Sequence, residues 1–211
     1  MTAARPLQAA APAPDPSGAE LRARLTAALR ADGAGPSSDF DGNGPVPEGL
    51  GARPAGVLVA FLPDGRLILT KRASGLRHHP GQIALPGGKV DPGDADATAA
   101  ALREAQEEVG LDPAAVEVLG SLPSHRTVTG FAMTPVVGLI RGGFTPVREV
   151  GEVEEVFEVP LAHVAALDRY RPEQRLWRGG WRTYWIAPWG PYYIWGATAC
   201  ILRGLALRMS P

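Results

Sequence analysis

The chain has 211 residues, of which 45% are hydrophobic, and carries a formal net charge of −1. This length suffices for one domain with a full core but not for two large domains. With a sequence pI of about 6.4, the chain has no general positive field to attract a polyanion, which argues against a nucleic-acid partner. Cys200 is the single cysteine, which excludes an internal disulfide and a cysteine-based zinc site. No apolar run approaches the roughly 18 residues of a membrane span, so we expect no membrane association and a cytoplasmic location.

The first part of the sequence is rich in alanine, proline and glycine, and we predict a flexible N-terminal extension over residues 1–53. Residues 1–17 are predicted to be disordered. A short amphipathic helix is predicted at about residues 18–31, because leucines recur there at every fourth position, namely Leu21, Leu25 and Leu29. Such a helix either packs on the edge of a domain or binds a partner. The ordered domain is predicted to cover residues 54–211.

Alternating runs of apolar residues and turn residues predict a mixed α/β domain. A buried strand at Val57–Leu62 is followed by a Pro-Asp-Gly turn and a return strand at Leu67–Thr70, which together form a hairpin. Further elements are predicted as strands at Val116–Leu119, Met133–Ile140 and Val153–Val159, an aromatic-rich hairpin at Arg182–Ile194, and a last helix at Ala197–Arg208.

Residues Ala97–Val109 are rich in helix formers and predict a helix that ends at Gly110. Asp94 and Asp96 are both suitable N-caps for it. At about 100° per residue, one apolar arc is predicted to face the core, and the three glutamates of the helix are predicted to share the opposite side. The arc consists of Thr98, Leu102, Ala105 and Val109, and the glutamates are Glu104, Glu107 and Glu108.

Three carboxylates on one patch of a helix are unfavourable by themselves. They repel one another, and Glu107 and Glu108 also lie near the negative end of the helix dipole. A bound divalent cation removes this conflict, because Mg²⁺ and similar hard ions prefer carboxylate oxygens and share their sites with phosphates. The alternative is an acidic helix face that is solvated and binds nothing.

These residues resemble the Nudix box, G-x5-E-x7-R-E-U-x-E-E-x-G-U, in which U is a bulky aliphatic residue. The matching positions are Gly88, Arg103, Glu104, Glu107, Glu108, Gly110 and Leu111. The spacing between Gly88 and Arg103 is one residue longer than in the box, and Ala95 stands where the box has its first glutamate. Asp94 or Asp96 is expected to replace that glutamate as the partner of Arg103. The resemblance implies a Nudix fold, an α/β/α sandwich around a mixed β-sheet.

The stretch before the box is similar to the signature of the coenzyme A pyrophosphatase subgroup of Nudix hydrolases. The matching positions are Leu69, Thr70, Arg72, Ala73, Arg77, Gly81, Pro86, Gly87 and Gly88. Arg72, Arg77, His78 and His79, with Lys71, also form a dense basic cluster near the carboxylates, and arginine suits phosphate through bidentate pairing. The alternative is that these side chains pair with local acids or cap loops.

The resemblance implies hydrolysis of the diphosphate of coenzyme A or its acyl derivatives, giving 4′-phosphopantetheine and adenosine 3′,5′-bisphosphate. The expected metal ligands for Mg²⁺ or Mn²⁺ are Glu104, Glu107, Glu108 and the carbonyl of Gly88. The expected substrate-binding residues are Arg72, Arg77, His78, His79, Gly87 and Gly88. The expected catalytic residues are Glu104, Arg103, Glu152 and Glu155, with the general base open among Glu104, Glu152 and Glu155. The rival functions are hydrolysis of ADP-ribose, NADH or a nucleoside triphosphate, and nucleotide binding without catalysis. Homodimers are common in the family, so a homodimer is an open expectation.

Overall fold

A computed structural model describes residues 18–177 and 179–210 of the chain. The disorder predicted for residues 1–17 lies outside the described residues. The helices are α1 (Gly18–Arg30), α2 (Ala97–Val109), α3 (Leu161–Val164) and α4 (Ala197–Met209). The strands are β1 (Ser37–Ser38), β2 (Arg53–Phe61), β3 (Arg66–Arg72), β4 (Ile83–Ala84), β5 (Gly87–Lys89), β6 (Val116–Ser121), β7 (His125–Arg126), β8 (Phe131–Ile140), β9 (Val153–Pro160), β10 (Arg171–Trp177) and β11 (Gly180–Ile186).

Strands β1–β9 form one mixed sheet, in which the order β1-β7-β8-β2-β3-β4 runs along the main path. Three further strands pair onto it: β5 on β2, β6 on β8, and β9 on β3. The centre is the parallel pair of β2 with β8, from Arg53 opposite Phe131 to Phe61 opposite Leu139. The strands predicted at residues 67–70, 116–119, 133–140 and 153–159 are confirmed as parts of β3, β6, β8 and β9, and the one predicted at 57–62 lies in β2 except for its last residue.

Strand β2 is apolar from Ala55 to Phe61 because both faces of the sheet are covered. Val57, Val59 and Phe61 pack in a core cluster that includes residues of α1 and α4. Leu58 and Ala60 point to the other face and pack in a cluster that includes residues of α2. Successive side chains of a strand alternate between faces, so one strand serves both layers. The predicted α/β/α sandwich around a mixed sheet is confirmed.

Helix α2 approaches β2 closely, and this contact corrects the predicted orientation of the helix. A Cβ atom at Gly56 would lie 1.9 Å from the carbonyl oxygen of Ala97, so only glycine permits the contact. The buried residues of α2 are Ala100, Ala101, Ala105, Glu108 and Val109. Thr98 and Leu102, predicted to face the core, are only partly buried. Small alanines, rather than larger apolar residues, form the contact surface, and Glu108 lies beside them.

The described part of the segment before residue 54 contacts the body of the molecule. Leu21 and Leu25 of α1 are fully buried in the same core cluster as residues of α4. Arg208 of α4 donates hydrogen bonds to the carbonyl oxygens of Ala31 and Ala34, at 2.7 and 2.9 Å. Helix α1 therefore shares its core with α4. The domain boundary near residue 53 stays a prediction.

Residues 37–43 are fixed on the sheet edge by a chain of polar contacts. His125 is fully buried, and its Nδ1 lies 2.9 Å from the hydroxyl of Ser37. Its Nε2 lies 3.1 Å from a carboxylate oxygen of Asp39, whose second oxygen accepts the backbone N–H of Val128 at 2.9 Å. Because a buried imidazole needs partners for both nitrogens, these contacts hold the segment beside β7.

The aromatic C-terminal region contains a hairpin that starts earlier than predicted. Strands β10 and β11 pair antiparallel from Arg171 opposite Ile186 to Trp177 opposite Gly180. The predicted range, residues 182–194, begins inside β11 and continues into two isolated bridges, Ile186 with Trp195 and Trp189 with Tyr192. The predicted hairpin is therefore only partly correct, because the charged and polar residues in the middle of β10, Glu173 to Arg175, do not indicate a strand. The predicted last helix corresponds to α4.

Asn43 covers one edge of this hairpin by imitating a strand residue. Its side-chain amide donates to the carbonyl oxygen of Thr183 at 2.8 Å and accepts the N–H of Thr183 at 2.7 Å. The neighbouring Arg182 donates to the carbonyl oxygen of Asp39 at 3.0 Å. These bonds join residues 39–43 to the outer edge of β11.

Asn43→Ala is expected to lower the free energy of unfolding by about 1–3 kcal/mol, because the side chain loses its bonds to the carbonyl oxygens of Asp39 and Asp41 and both partners on Thr183 are left unsatisfied. Urea denaturation followed by tryptophan fluorescence measures this change. Glu48→Ala, at an exposed position of the same segment, is the matched control and is expected to have little effect. Equal stabilities of the two variants would show that the amide contributes nothing.

No helix among the described residues is long and apolar enough to cross a lipid bilayer.

Candidate active site

The candidate site lies where the short strand β5 meets α2. Gly88 on β5 pairs with Gly56 on β2, beneath the helix. A Cβ atom at Gly88 would lie 2.3 Å from a carboxylate oxygen of Glu104, so this side chain rests directly on the glycine backbone. Gly87 has a φ of 151°, and a Cβ atom there would lie 2.4 Å from the carbonyl oxygen of Gly56. Gly88 thus leaves room for the Glu104 carboxylate, and Gly87 allows β5 to approach β2 closely.

Glu108 is the most buried carboxylate of the site, with 4% of its surface exposed. Its Oε2 accepts the backbone N–H of Gly87 at 3.1 Å, and Nη1 of Arg72 lies 3.7 Å from its Oε1. Burial raises the pKa of Glu108 to about 7, while the Gly87 N–H and the Arg72 charge act in the opposite direction. The site therefore holds a carboxylate whose charged form is poorly solvated.

The other two glutamates of the helix differ in exposure. Burial also raises the pKa of Glu104, against the lowering effect of Arg103, and the charges of Glu107 and Glu152 add to the increase. Glu107 is exposed, and its Oε2 accepts a hydrogen bond from Nη1 of Arg103 at 2.9 Å. The three glutamates, predicted to share one patch, therefore differ in solvent exposure: Glu108 is buried, Glu104 is partly buried and Glu107 is exposed.

Arg103 connects the helix glutamates to the preceding loop. Its Nη1 also donates to Glu104 at 3.1 Å, and its Nη2 donates to the carbonyl oxygen of Lys89 at 3.2 Å. Two parallel bonds, both 3.0 Å long, join Nε and Nη2 to the two carboxylate oxygens of Asp94. The hydrogen bond from Arg103 lowers the pKa of Asp94, and the same bond raises the pKa of Arg103.

Asp94 and Asp96, which the sequence left as alternatives, have separate positions. Asp96 is the N-cap of α2, and its carboxylate accepts the backbone N–H groups of Thr98 and Ala99 at 2.8 and 2.9 Å. Asp94 lies before the helix, two residues ahead of Asp96 in the sequence, and pairs with Arg103. In this structure Asp94 therefore takes the place beside Arg103 that the resemblance assigns to a glutamate.

Asp94→Ala is expected to reduce kcat/KM by about 10–100-fold, the range typical of residues that orient metal-binding groups. Without Asp94, Arg103 loses two of its bonds and no longer holds Glu104 and Glu107 in place. Steady-state kinetics measure the effect, with circular dichroism to verify folding. Asp96→Ala is the control, expected to cost about 1 kcal/mol of stability through the lost cap but little activity. A larger activity loss in the Asp96 variant would contradict this division.

The oxygen atoms near Gly88 are ligands of the kind that hard divalent cations prefer, although the side chains that carry them are paired with other groups of the protein. Within residues 18–177 and 179–210, no group of three or more His, Cys, Asp or Glu side chains is arranged to hold a metal ion. Glu107 is turned to Arg103, and Glu108 to Gly87 and Arg72. All candidate donors are oxygens, and the charges of Glu104 and Glu152 raise the pKa of Glu108. A cation such as Mg²⁺ or Mn²⁺ relieves that repulsion.

The basic cluster divides into a part inside the site and a part in solvent. Arg72, at the end of β3, is partly buried and lies next to Glu108. Arg77, His78 and His79 are exposed on the loop between β3 and β4, where His79 has a φ of 55°. Among the described residues their side chains have no ion-pair partner, whereas Lys71 pairs with Glu154 at 2.6 Å. The loop that follows Arg72 therefore presents three side chains that take part in no ion pair among the described residues.

The two candidate bases from the later part of the chain lie on different sides of the sheet. Glu152 is exposed, and it is close enough to raise the pKa of both Glu104 and Glu108. Glu155 shares a face of β9 with Phe157, which packs in the core cluster of α1 and α4 rather than that of α2. The hydroxyl of Tyr192 donates a hydrogen bond to Glu155. The structure brings Glu152, but not Glu155, towards the helix glutamates.

A loop that the sequence did not single out closes the end of α2. The backbone N–H of Val147 donates to the carbonyl oxygen of Val109 at 3.0 Å, and that of Glu149 donates to the carbonyl oxygen of Glu108 at 2.9 Å. The last carbonyls of a helix lack partners within it, so these bonds complete the helix end. The same loop leads to Glu152. Its sequence contains no motif that predicts this contact.

The NUDIX domain family matches residues 52–178. The chain belongs to this family. A Nudix hydrolase of Cronobacter sakazakii, named NudL and uncharacterized, is 49% identical over 162 residues, which cover 76% of this chain and 84% of the relative. Its counterpart in Salmonella paratyphi B is 49% identical over 164 residues, covering 77% of this chain and 85% of the relative.

Solved structures of similar fold include a C. elegans Ap4A hydrolase binary complex, 17% identical with a TM-score of 0.44, covering 50% of this chain and 79% of that one. Another is the NUDIX domain of Shewanella oneidensis NrtR complexed with ADP ribose. It is 20% identical with a TM-score of 0.44, and the match covers 60% of this chain and 84% of that one.

The predicted Nudix membership and the predicted enzyme class are thereby confirmed. This Nudix hydrolase is an enzyme that cleaves a diphosphate bond. Nudix hydrolases generally use a divalent metal ion such as Mg²⁺ or Mn²⁺. The family match begins at residue 52, close to the start of β2.

Proposed function

We propose that this Nudix hydrolase cleaves the diphosphate bond of coenzyme A or its acyl derivatives, giving 4′-phosphopantetheine and adenosine 3′,5′-bisphosphate. The observation that carries the proposal is the position of Arg72 beside Glu108, with Arg77, His78 and His79 on the adjoining loop. Coenzyme A bears a diphosphate and a separate 3′-phosphate, so its recognition needs cationic groups at two places. Arg72 serves the diphosphate, and Arg77 with the two histidines serves the second phosphate.

Three glutamates of α2, with the carbonyl of Gly88, are the residues that would hold Mg²⁺ or Mn²⁺. They are Glu104, Glu107 and Glu108. When bound, the ion lowers the pKa of a water molecule and neutralises charge on the phosphates. Gly87 and Gly88 are assigned to substrate binding through their backbone, since neither carries a side chain. Glu108 remains fixed by the Gly87 N–H while Arg72 exchanges its contact for the substrate.

The remaining roles follow from the same geometry. Arg103 is a positioning residue, which orients Glu104 and Glu107 through the bonds described above. Glu152 is the proposed general base, because it is the later acidic residue on the side of the sheet that carries α2. Glu155, bound by Tyr192, is assigned no contact with the substrate. The thioester end of an acyl derivative lies far from the cleaved bond, so acyl chains are compatible with this arrangement.

Coenzyme A and dephospho-coenzyme A, which lacks the 3′-phosphate, are the two substrates that test the proposal. Purified protein with Mg²⁺ or Mn²⁺ is incubated with each, and the products are separated by chromatography. We expect faster cleavage of coenzyme A, and a selective loss of this preference in Arg77→Ala. One charge-assisted hydrogen bond is worth about 1.5–3 kcal/mol, which corresponds to about 10–100-fold in kcat/KM.

Arg141→Ala, at an exposed position outside the loop, is the matched control and is expected to keep the preference. Equal rates for both substrates would remove the assigned role of the loop. Preferred cleavage of ADP-ribose, NADH or a nucleoside triphosphate would move the protein to another Nudix specificity. Nucleotide binding with no turnover of any of these compounds would favour a non-catalytic domain.

A further inference from the structure

The hairpin of β10 and β11 forms a separate two-stranded sheet with unequal edges. The edge of β11 is occupied at Thr183 by the side chain of Asn43, as described above. Strand β10 pairs only with β11 among the described strands, and most of its residues are exposed. An edge strand of this length presents unpaired backbone groups, and proteins commonly cover such edges. One edge of this hairpin is therefore closed and the other is open.

The contacts of Asn43 fix which backbone groups of β10 point outward. Both the N–H and the C=O of Thr183 point to Asn43, so they point away from β10. In an antiparallel pair, the backbone N–H and C=O groups of two directly opposite residues either point towards each other or both point away from the partner strand. Gln174 is opposite Thr183. The backbone of Gln174 therefore faces outward, and so do those of Pro172 and Leu176, two residues to either side. Pro172 offers a carbonyl oxygen only.

We propose that this Nudix hydrolase forms a two-fold symmetric dimer in which β10 pairs antiparallel with β10 of a second copy, centred on Gln174. Two-fold symmetry pairs outward-facing residues with outward-facing residues, so the axis must pass through a residue of the strand. A centre at Gln174 places Glu173 opposite Arg175 of the other copy, twice. It also places Gln174 opposite its own copy, where the side-chain amides can bond to each other.

The charges of β10 oppose the neighbouring registers. A centre at Glu173 would place the two Glu173 carboxylates opposite each other, and Arg171 opposite Arg175. A centre at Arg175 would place the two Arg175 guanidinium groups together. Like charges that are directly opposite in a sheet are destabilising, whereas opposite charges are favourable. Of the three central registers, the one at Gln174 is free of like-charge pairs.

The same register aligns exposed apolar side chains in one row. Leu176 and its partner Trp181 on β11 are 58% and 69% exposed. Pro172 is opposite Trp185. In the dimer Pro172 of one copy lies opposite Leu176 of the other, so the row runs Trp185, Pro172, Leu176, Trp181 across four strands. Symmetry repeats the row on the other side of Gln174. Large apolar side chains that are exposed in one chain thereby become neighbours.

Sedimentation velocity of the full chain over a range of micromolar concentrations tests the dimer. We expect concentration-dependent association, because pairing of one short strand forms a small interface. Arg175→Glu is expected to raise the dissociation constant at least about tenfold, since it creates two like-charge pairs with Glu173. Arg24→Glu, an equal change of charge at an exposed position on α1, is the control and is expected to leave association unchanged.

Two further variants separate the interface from general effects on folding. Gln174→Pro removes an N–H that points away from β11, so it blocks association while the hairpin stays paired; near-ultraviolet circular dichroism verifies the fold. The exchange Glu173→Arg/Arg175→Glu restores opposite charges and is expected to recover association. A chain that is monomeric at every concentration overturns the proposal, as does a dimer that neither Arg175→Glu nor Gln174→Pro weakens. Failure of the charge exchange to recover association overturns the register at Gln174.

Discussion

Glu108→Gln is expected to lower kcat/KM by about 10²–10³-fold while the protein remains folded. A divalent ion supplies several kcal/mol of charge stabilisation in such reactions, and each 1.4 kcal/mol corresponds to about tenfold in rate. Glutamine keeps the shape of the side chain and its contact with the Gly87 N–H, but removes the negative charge. Steady-state kinetics at saturating Mg²⁺, with circular dichroism of both proteins, measure the effect. An active Glu108→Gln variant would exclude this carboxylate from the reaction.

The same substitution is expected to stabilise the metal-free protein at alkaline pH. The pKa of Glu108 is raised by burial from an ordinary 4.5 to about 7, so the folded state binds more protons than the unfolded state between these values. Stability then falls as pH rises from 4.5 to about 7, by about 3 kcal/mol in total. The glutamine variant lacks this loss. Urea denaturation at pH 5 and pH 8 with a chelator tests it, with exposed Glu107→Gln as the control.

Gly56→Ala is expected to be the most destabilising single-methyl change in the sheet. The added Cβ would lie 1.9 Å from the carbonyl oxygen of Ala97 and 2.9 Å from the N–H nitrogen of Ala101. Because both neighbours are backbone atoms, α2 must move away from β2 as a unit, carrying Glu104 and Glu108 with it. Overpacking of this kind costs about 1–3 kcal/mol or more, and we also expect loss of most activity.

Thermal unfolding and kinetics of Gly56→Ala are compared with those of Gly93→Ala, whose Cβ would meet no atom within 4 Å. The control is expected to behave as the unmodified protein in both measurements. A Gly56→Ala protein with unchanged melting temperature would mean that the helix does not press on the strand as closely as the contact indicates.

The sheet and helix α2 were predictable because their signals are local and strong. The apolar run of Val57–Leu62 needs cover on both faces, and the Asp96 cap and Gly110 mark the ends of α2. Strand β10 was missed because its central residues, Glu173, Gln174 and Arg175, are charged or polar and most of the strand is exposed, so no apolar period marks it. Its pairing depends on β11 and on contacts such as that of Asn43, which lie far away in the sequence.

The site was predictable in composition but not in its detailed orientation. The prediction placed Glu108 opposite the apolar arc, whereas the structure buries it with Ala101 and Ala105, which stand seven and three positions before it on the same face of the helix. No pattern in the sequence distinguishes Asp94 from Asp96, because the choice depends on where the loop meets Arg103. Likewise, only the alternation of β9 and the hydrogen bond from Tyr192 separate Glu155 from Glu152.

Asp94 pairs with Arg103 from a loop rather than from the helix, and this allows the length of the loop to vary among related enzymes. A carboxylate on the helix itself would fix the residue count to Arg103, since each inserted residue would rotate it by about 100°. Loops absorb insertions more easily than helices, and Asp94 meets Arg103 across the extra residue found here. Homologues whose loops differ in length can thus keep the same ion pair. Patterns that require constant spacing across this loop would overlook them, whereas patterns anchored within α2 would not.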